Sequence, residues 1–243
     1  MTGDAPVVVV TGAAGGIGAA ITELLAADHR VIALDREQAP GICGFDVTDP
    51  DGWQHLAASL PGPVHGLVNC AGVTRRARLT EVSVADMTET HAVNVLAPLL
   101  AIQALVPRMR PGSSIVNIGS VAALTGHYPV AYTTSKWALR GLTHTAALAL
   151  GERGIRANIV HPGFIDTPMT ASAPDAFRVA SVGETALGRA GTADEVAATV
   201  RFLLGAGAGY ITGSEITVDG GATSHGGVKS ISDALGATTP TTL

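Results

Sequence analysis

Tyr132 and Lys136 stand four residues apart in Tyr132-Thr133-Thr134-Ser135-Lys136, the spacing that puts two side chains on one face of a helix. A phenol has an ordinary pKa of about 10, and a cation beside it favours the phenolate, toward the range where a phenol exchanges a proton with an alcohol. Ser120 lies 12 residues earlier, just after the apolar run Ile115-Val116-Asn117-Ile118. Doubly wound sheets bind ligands at the carboxyl ends of such strands. A hydroxyl, a phenol and an amine gathered there can orient an alcohol or carbonyl oxygen and carry its proton.

A second group of residues suits phosphate. Thr11-Gly12-Ala13-Ala14-Gly15-Gly16-Ile17-Gly18 follows the β-branched run Val7-Val8-Val9-Val10 and opens a segment, Ile17 to Ala27, with apolar residues at helical spacing. Backbone N–H groups at such a helix start hold a pyrophosphate, and missing side chains allow the approach. Asp35 closes the next strand, 23 residues past Gly12, near the ~20 expected of an acidic residue that bonds the adenosine ribose hydroxyls. Its carboxylate would repel a 2′-phosphate, and the Gly loop holds no Lys or Arg; both features argue for NAD over NADP. Arg36 is the opposing residue, open to stacking on the adenine or to solvation. Asp46-Val47 follows where an adenine ring would lie, with a turn or cap before Asp49-Pro50 as the local alternative for Asp46.

These groups need strands to position them. Arg30–Asp35, Gly66–Asn69, Ser114–Ile118, Arg156–Val160 and Glu215–Val218 repeat the apolar pattern of Val7–Val10, with stretches of helical length between them. The alternation predicts an α/β fold: a doubly wound parallel sheet, Rossmann-like, with helices on both faces. No linker or internal repeat divides the 243 residues, so residues 1–243 form one domain. Residues 166–189 are long for a loop between a strand and a helix and form a candidate substrate lid. Residues 222–243 form a C-terminal tail.

Composition narrows the function classes. The chain is 47% hydrophobic and 14% charged, with a net charge of −5 and no basic cluster, so phosphate backbones and anionic membranes find little to hold. The few charges leave a thin polar coat and predict surface buried between subunits. Cys43 and Cys70 are too few for a disulfide framework and lack zinc-ligand spacing; they read as two small buried thiols. The first apolar run has no basic region before it and is far shorter than the ~20 residues of a membrane span, so a cytoplasmic protein is expected.

In this order of motifs the sequence closely resembles the short-chain dehydrogenase/reductase family, in its short single-domain branch of NAD(P)-dependent oxidoreductases. The resemblance runs from about Val7 to Gly221. It rests on the Gly loop; on Asn69-Cys70-Ala71-Gly72, where the family usually has a second Asn in place of Cys70; and on Asn94 in His91-Ala92-Val93-Asn94-Val95. It continues through Ser120, Tyr132 with Lys136, Pro162-Gly163-Phe164-Ile165-Asp166-Thr167 and Val218-Asp219-Gly220-Gly221. The step from Ser120 to Tyr132 is a residue shorter than in many relatives, which concerns the pocket wall more than the chemistry.

The resemblance implies that Tyr132 is the general base in alcohol oxidation and the general acid in carbonyl reduction. Lys136 would hold the nicotinamide ribose and lower the Tyr132 pKa, Ser120 would position the substrate oxygen, and Asn94 would keep a water that links Lys136 to solvent. Gly12, Gly16, Ile17, Gly18, Asp35, Asp46 and Val47 would take the adenosine and diphosphate side. Asn69 would contact the ribose side, and Ile165 and Thr167 the carboxamide and diphosphate. Hydride transfer needs no metal, and no metal site is visible. Relatives are mostly homotetramers or dimers, and the tail around Ser224–Lys229 could reach a partner subunit's lid.

Met169, Phe177, Val179 and Val182 predict an apolar pocket wall. Arg75, Arg76 and Arg78 either favour an anionic substrate or are solvated. His127, Tyr128 and His161 read as non-catalytic. The leading expectation is an NAD-dependent secondary-alcohol dehydrogenase acting on a small molecule. The alternatives are an NADP-dependent ketone reductase of 3-oxoacyl type and, in another class, a non-catalytic dinucleotide-binding regulator.

Overall fold

The computed structural model describes residues 5–236. Seven parallel strands form one sheet in the order β3-β2-β1-β4-β5-β6-β7: β1 Val7–Thr11, β2 Arg30–Asp35, β3 Ile42–Gly44, β4 Val64–Asn69, β5 Met109–Ile118, β6 Arg156–Pro162 and β7 Glu215–Val218. The order reverses at β1/β4, the switch point where such sheets open a crevice. All five residues of β1 are buried, as its unbroken β-branched run requires. Strand alternation sends Val8 and Val10 to one apolar layer and Val9 to the other.

The first layer is covered by α1 Gly16–Leu25, with Ile21 and Leu25 fully buried, and by α8 Ala193–Leu204. The second is covered by α2 Pro50–Ser59, α4 Ala97–Leu105 and α5 Val130–Leu150, with α3 Val84–His91 packed against α5. Trp53 of α2 is buried there and donates from Nε1 to the Val47 carbonyl at 2.9 Å. The helical run Val84–Arg108 is long and apolar enough by length and composition to cross a membrane. Its residues Ala101, Ile102 and Leu105 are instead packed against the sheet.

The expected strands are present, β4 and β5 beginning earlier and β1 and β6 ending later than their apolar runs. The edge strand β3 has three residues, too few to show a period. Residues 166–189 hold two short helices, α6 Pro168–Ala171 and α7 Asp175–Gly183, and the tail contains α9 Lys229–Gly236.

Candidate active site

The ends of β1, β4, β5 and β6 enclose a cleft of about 320 Å³ that reaches from Gly12 to Tyr132 and Lys136. Gly12 has φ +69°, and a Cβ there would lie 2.8 Å from the Ala71 backbone nitrogen. A Cβ on Gly18 would lie 2.0 Å from the Gly12 carbonyl oxygen, whereas Gly15 has open space beside it. The loop is thus closed toward the protein and bare toward the cleft, a cradle that fits a diphosphate at the start of α1. Thr11 steadies the facing loop, its Oγ1 accepting from the backbone N–H of Cys70 and of Ala71, each at 3.1 Å.

Asp35 accepts from the Ala14 N–H at 2.9 Å and from the Glu37 N–H at 3.2 Å, which holds the carboxylate beside the Gly loop. An adjoining recess of about 370 Å³ brings Asp35 together with Arg36, Asp46 and Val47, a shape that fits an adenosine. Asp46 also makes a local turn: its Oδ1 accepts from the N–H and the hydroxyl of Thr48 at 2.8 and 2.7 Å, bonds that hold its pKa below the usual range. Ile165 and Thr167 line the main cleft, Thr167 against Gly16, where a Cβ would come within 3.3 Å of it.

Asn69 is not brought to the cleft wall. Its side chain turns into the sheet and donates 2.8 Å to Oδ1 of Asn117, its register partner on β5, whose Nδ2 donates 2.8 Å to Thr143. Cys70, Ala71 and Gly72 line the cleft at this point. Burial pushes the Cys70 thiol up to about 12, so it stays protonated and unreactive near neutral pH.

Tyr132 and Lys136 lie one turn apart on α5, and the Lys136 ammonium is 5.6 Å from the Tyr132 ring centre. Lys136 is only 4% exposed and donates from Nζ to the Ile118 carbonyl at 2.7 Å. Burial pulls its pKa down to about 8. Burial likewise raises the Tyr132 pKa, while a hydrogen bond with Ser120 pulls it down. The expectation that Lys136 lowers the phenol is thus not met in the protein alone. Both groups are desolvated, and the amine is occupied by a carbonyl.

Asn94 lies in a π-helical turn, Ala92–Leu96, between α3 and α4, a distortion frequent at functional sites. Its Oδ1 accepts from the Val73 N–H at 2.9 Å, and its Nδ2 donates to the Val73 carbonyl at 3.0 Å and to Ser135 at 2.9 Å. The amide thereby ties the loop after β4 to α5.

Beyond Tyr132 a second cavity of about 310 Å³ runs between the turn after Ser120 and the 166–189 segment. Phe177 of α7 is the hub of its wall, its ring centre 5.9 Å from His127, 6.1 Å from Tyr128 and 5.9 Å from Phe164. Met169 and Phe177 line it as expected, whereas Val179 and Val182 do not. The three arginines have protein partners. Arg75 pairs with Glu89 at 2.6 Å, and Arg78 lies over the Tyr128 ring at 5.2 Å. Arg76 donates to the Met169 carbonyl at 2.9 Å and to Ser172 Oγ at 3.1 Å. The tail meets the chain's own 166–189 segment, His225 Nε2 lying 2.8 Å from the Glu184 carbonyl oxygen. Among the described residues no group of three or more His, Cys, Asp or Glu could hold a metal.

Sequence reading named His161 without its partners. His161, Glu215 and Arg140 come from three elements, β6, β7 and α5, and no local pattern links them.

A family profile described as enoyl-(acyl carrier protein) reductase matches residues 12–223. A trans-4-hydroxycyclohexanecarboxylate dehydrogenase of Sinomonas cyclohexanicum is 32% identical over 92% of this chain and 95% of its own length. A 3-alpha-(or 20-beta)-hydroxysteroid dehydrogenase of Mycobacterium tuberculosis is 34% identical over 88% of each chain. Among solved structures, a blue fluorescent protein from a metagenomic library, in complex with NADPH, superposes with a TM-score of 0.83 at 35% identity, covering 90% of this chain and 98% of the other. With the Gly loop, the Ser120–Tyr132–Lys136 set and the seven-stranded parallel sheet in place, the chain belongs to the short-chain dehydrogenase/reductase family of single-domain oxidoreductases.

Proposed function

We propose that the protein oxidises a neutral, largely apolar secondary alcohol to the ketone with NAD. The observation that carries this reading is the convergence of Ser120, Tyr132 and Lys136 on the cleft that begins at the Gly loop and Asp35. When bound, NAD supplies the acceptor for the hydride that leaves the carbinol carbon. Gly12, Gly16, Ile17 and Gly18 would hold the diphosphate, Asp35, Asp46 and Val47 the adenosine, and Ile165 and Thr167 the nicotinamide end. Ser120 orients the substrate hydroxyl, and Tyr132, as phenolate, takes its proton. Lys136 would hold the nicotinamide ribose and, as a cation, favour the Tyr132 phenolate. Asn94 keeps open the path by which that proton reaches solvent.

Arg75 is neutralised by Glu89, and on the cavity wall Arg76 and Glu184 offset one another in charge, which supports a neutral substrate. In this reading residues 166–189 act as the lid. Exposed Leu96, Trp137 and Leu148 on the α4 and α5 side support assembly as a dimer or tetramer, to be checked by light scattering. Two unpaired thiols support a cytoplasmic setting. A second reading, an NADP-dependent ketone reductase, is favoured by exposed Arg36 in the adenosine recess and by the NADPH-bound neighbour.

The experiment is formation of NADH and NADPH across a panel of cyclic alcohols, steroids, hydroxy acids and sugar alcohols. Turnover of neutral alcohols with NAD, absent in Tyr132→Phe, is the expected result. Turnover with NADP alone, or of hydroxy acids alone, would overturn the finer reading.

A further inference from the structure

Ser120 is braced from below by a histidine. His161 of β6 is fully buried, and its ring occupies the space a side chain at Gly119 would need: a Cβ there would lie 2.5 Å from Nδ1. The same Nδ1 lies 3.2 Å from the Ser120 backbone nitrogen and 2.9 Å from its carbonyl oxygen. On the other side Nε2 faces Oε2 of Glu215 at 3.2 Å, off the line of a straight hydrogen bond. The other carboxylate oxygen, Oε1, is held by Arg140 Nε and His144 Nε2, each at 2.8 Å. Arg140 and His144 continue the four-residue steps of Tyr132 and Lys136 along α5.

The proton assignment follows from these neighbours. Arg140 and His144 hold the Glu215 pKa down, so the carboxylate is ionised, while burial holds His161 neutral. Either neutral tautomer leaves one pair of facing acceptors, Nδ1 with the Ser120 carbonyl oxygen at 2.9 Å or Nε2 with Glu215 Oε2 at 3.2 Å. The carbonyl already accepts from the Ala123 N–H at 2.9 Å, whereas the Ser120 N–H has Nδ1 as its acceptor, and the charged carboxylate attracts the ring proton more strongly. That puts the proton on Nε2 and leaves Nδ1 as an acceptor.

We propose that His161, oriented by Glu215, is a positioning residue that accepts the Ser120 N–H and so fixes the direction of the Ser120 hydroxyl toward Tyr132. The reason lies in Gly119. The ring demands a glycine there, a glycine loosens the strand end on which Ser120 sits, and the bond to the ring restores the lost constraint. Glu215 ties this bond to the helix face that carries Tyr132 and Lys136, so both halves of the site are held from one carboxylate. The inference rests on the dehydrogenase reading for its kinetic consequence, not for its geometry.

Amide exchange and ring nitrogen shifts, measured by NMR on the free protein, test the geometry. The expected tautomer has Nε2 protonated and Nδ1 bare; the reverse overturns the proposal. In His161→Leu the Ser120 amide should exchange about tenfold faster or more, while the Gly119 amide, bonded to the Val160 carbonyl at 2.7 Å, serves as the control. His161→Asn, which can place an acceptor near the Nδ1 position, should restore protection. An unchanged Ser120 rate, or equal acceleration at Gly119, refutes it.

Kinetics with cyclohexanol and NAD then test the consequence. His161→Leu should lower kcat about tenfold with NAD affinity retained, and should add no loss in a Ser120→Ala background. An undiminished loss in that background removes the positioning role. If the wild-type protein oxidises no alcohol on the panel, the dehydrogenase reading fails, while the exchange data still decide the proposal.

Discussion

Lys136 donates from Nζ to the carbonyl of Ile118 at 2.7 Å, so the buried amine of α5 is fastened to the strand end that leads into Ser120. Burial brings the amine from its ordinary 10.5 to about 8. Between these values the unfolded chain holds a proton that the folded chain has released, so stability rises with pH. Cys70, raised from its ordinary 9.0 to about 12, opposes this above pH ~9, and Tyr132 above pH ~10, because in each case the unfolded chain ionises first. Unfolding free energy without cofactor should therefore climb from pH 8 to about 9, by ~1 kcal/mol, and level off above that. Lys136→Met should flatten the climb; denaturant titrations across that range measure it.

Tyr132→Phe removes the proton carrier and little else, since the ring and its packing remain. Turnover should fall by about 10²- to 10⁴-fold while NAD affinity stays within about twofold. Stopped turnover with intact binding, read by calorimetry, is the expected pair of results.

The Asp35 carboxylate faces the recess where an adenosine would sit and also bonds the Ala14 N–H. Asp35→Ala should raise the relative preference for NADP by roughly 10- to 100-fold, on the order of 1.4 to 2.8 kcal/mol. Equal preference before and after the change would mean that the carboxylate serves the loop and not the choice of cofactor.

Arg76 fastens α6 to the loop after β4 through the Met169 carbonyl and Ser172. Arg76→Ala should free residues 166–189, raising KM by roughly three- to tenfold and speeding proteolysis within that segment. Global melting should move little, because these bonds are exposed.

Asn69 serves the sheet, bonded to Asn117 and through it to Thr143. Asn69→Ala should cost about 1–3 kcal/mol by leaving Asn117 unsatisfied, with NAD affinity at low temperature close to that of the parent. Thermal unfolding and NAD titration together distinguish this from a cofactor contact.

The elements were legible where the pattern is local. The β-branched run of β1, the bounds of β2 and β7, the Gly loop with Asp35 at its proper distance, and the four-residue step from Tyr132 to Lys136 depend on neighbours within one or two turns of chain. The fold class follows from their alternation. Three-residue β3 left no period to read, and it exists because the β2 edge offers unpaired backbone groups.

What needed the tertiary structure is every question of which way a polar side chain turns. Asn69 and Asn117 face each other because β4 and β5 pair in that register. Arg76 finds its acceptors 93 and 96 residues away. His161 meets Ser120 across 41 residues only because β5 and β6 are neighbours in the sheet. The direction of the Tyr132 and Lys136 pKa shifts belongs to the same class. The sequence alone determined that a phenol and an amine share a helix face; the burial that governs their protons exists only once β5, α5 and the facing loop have closed around them.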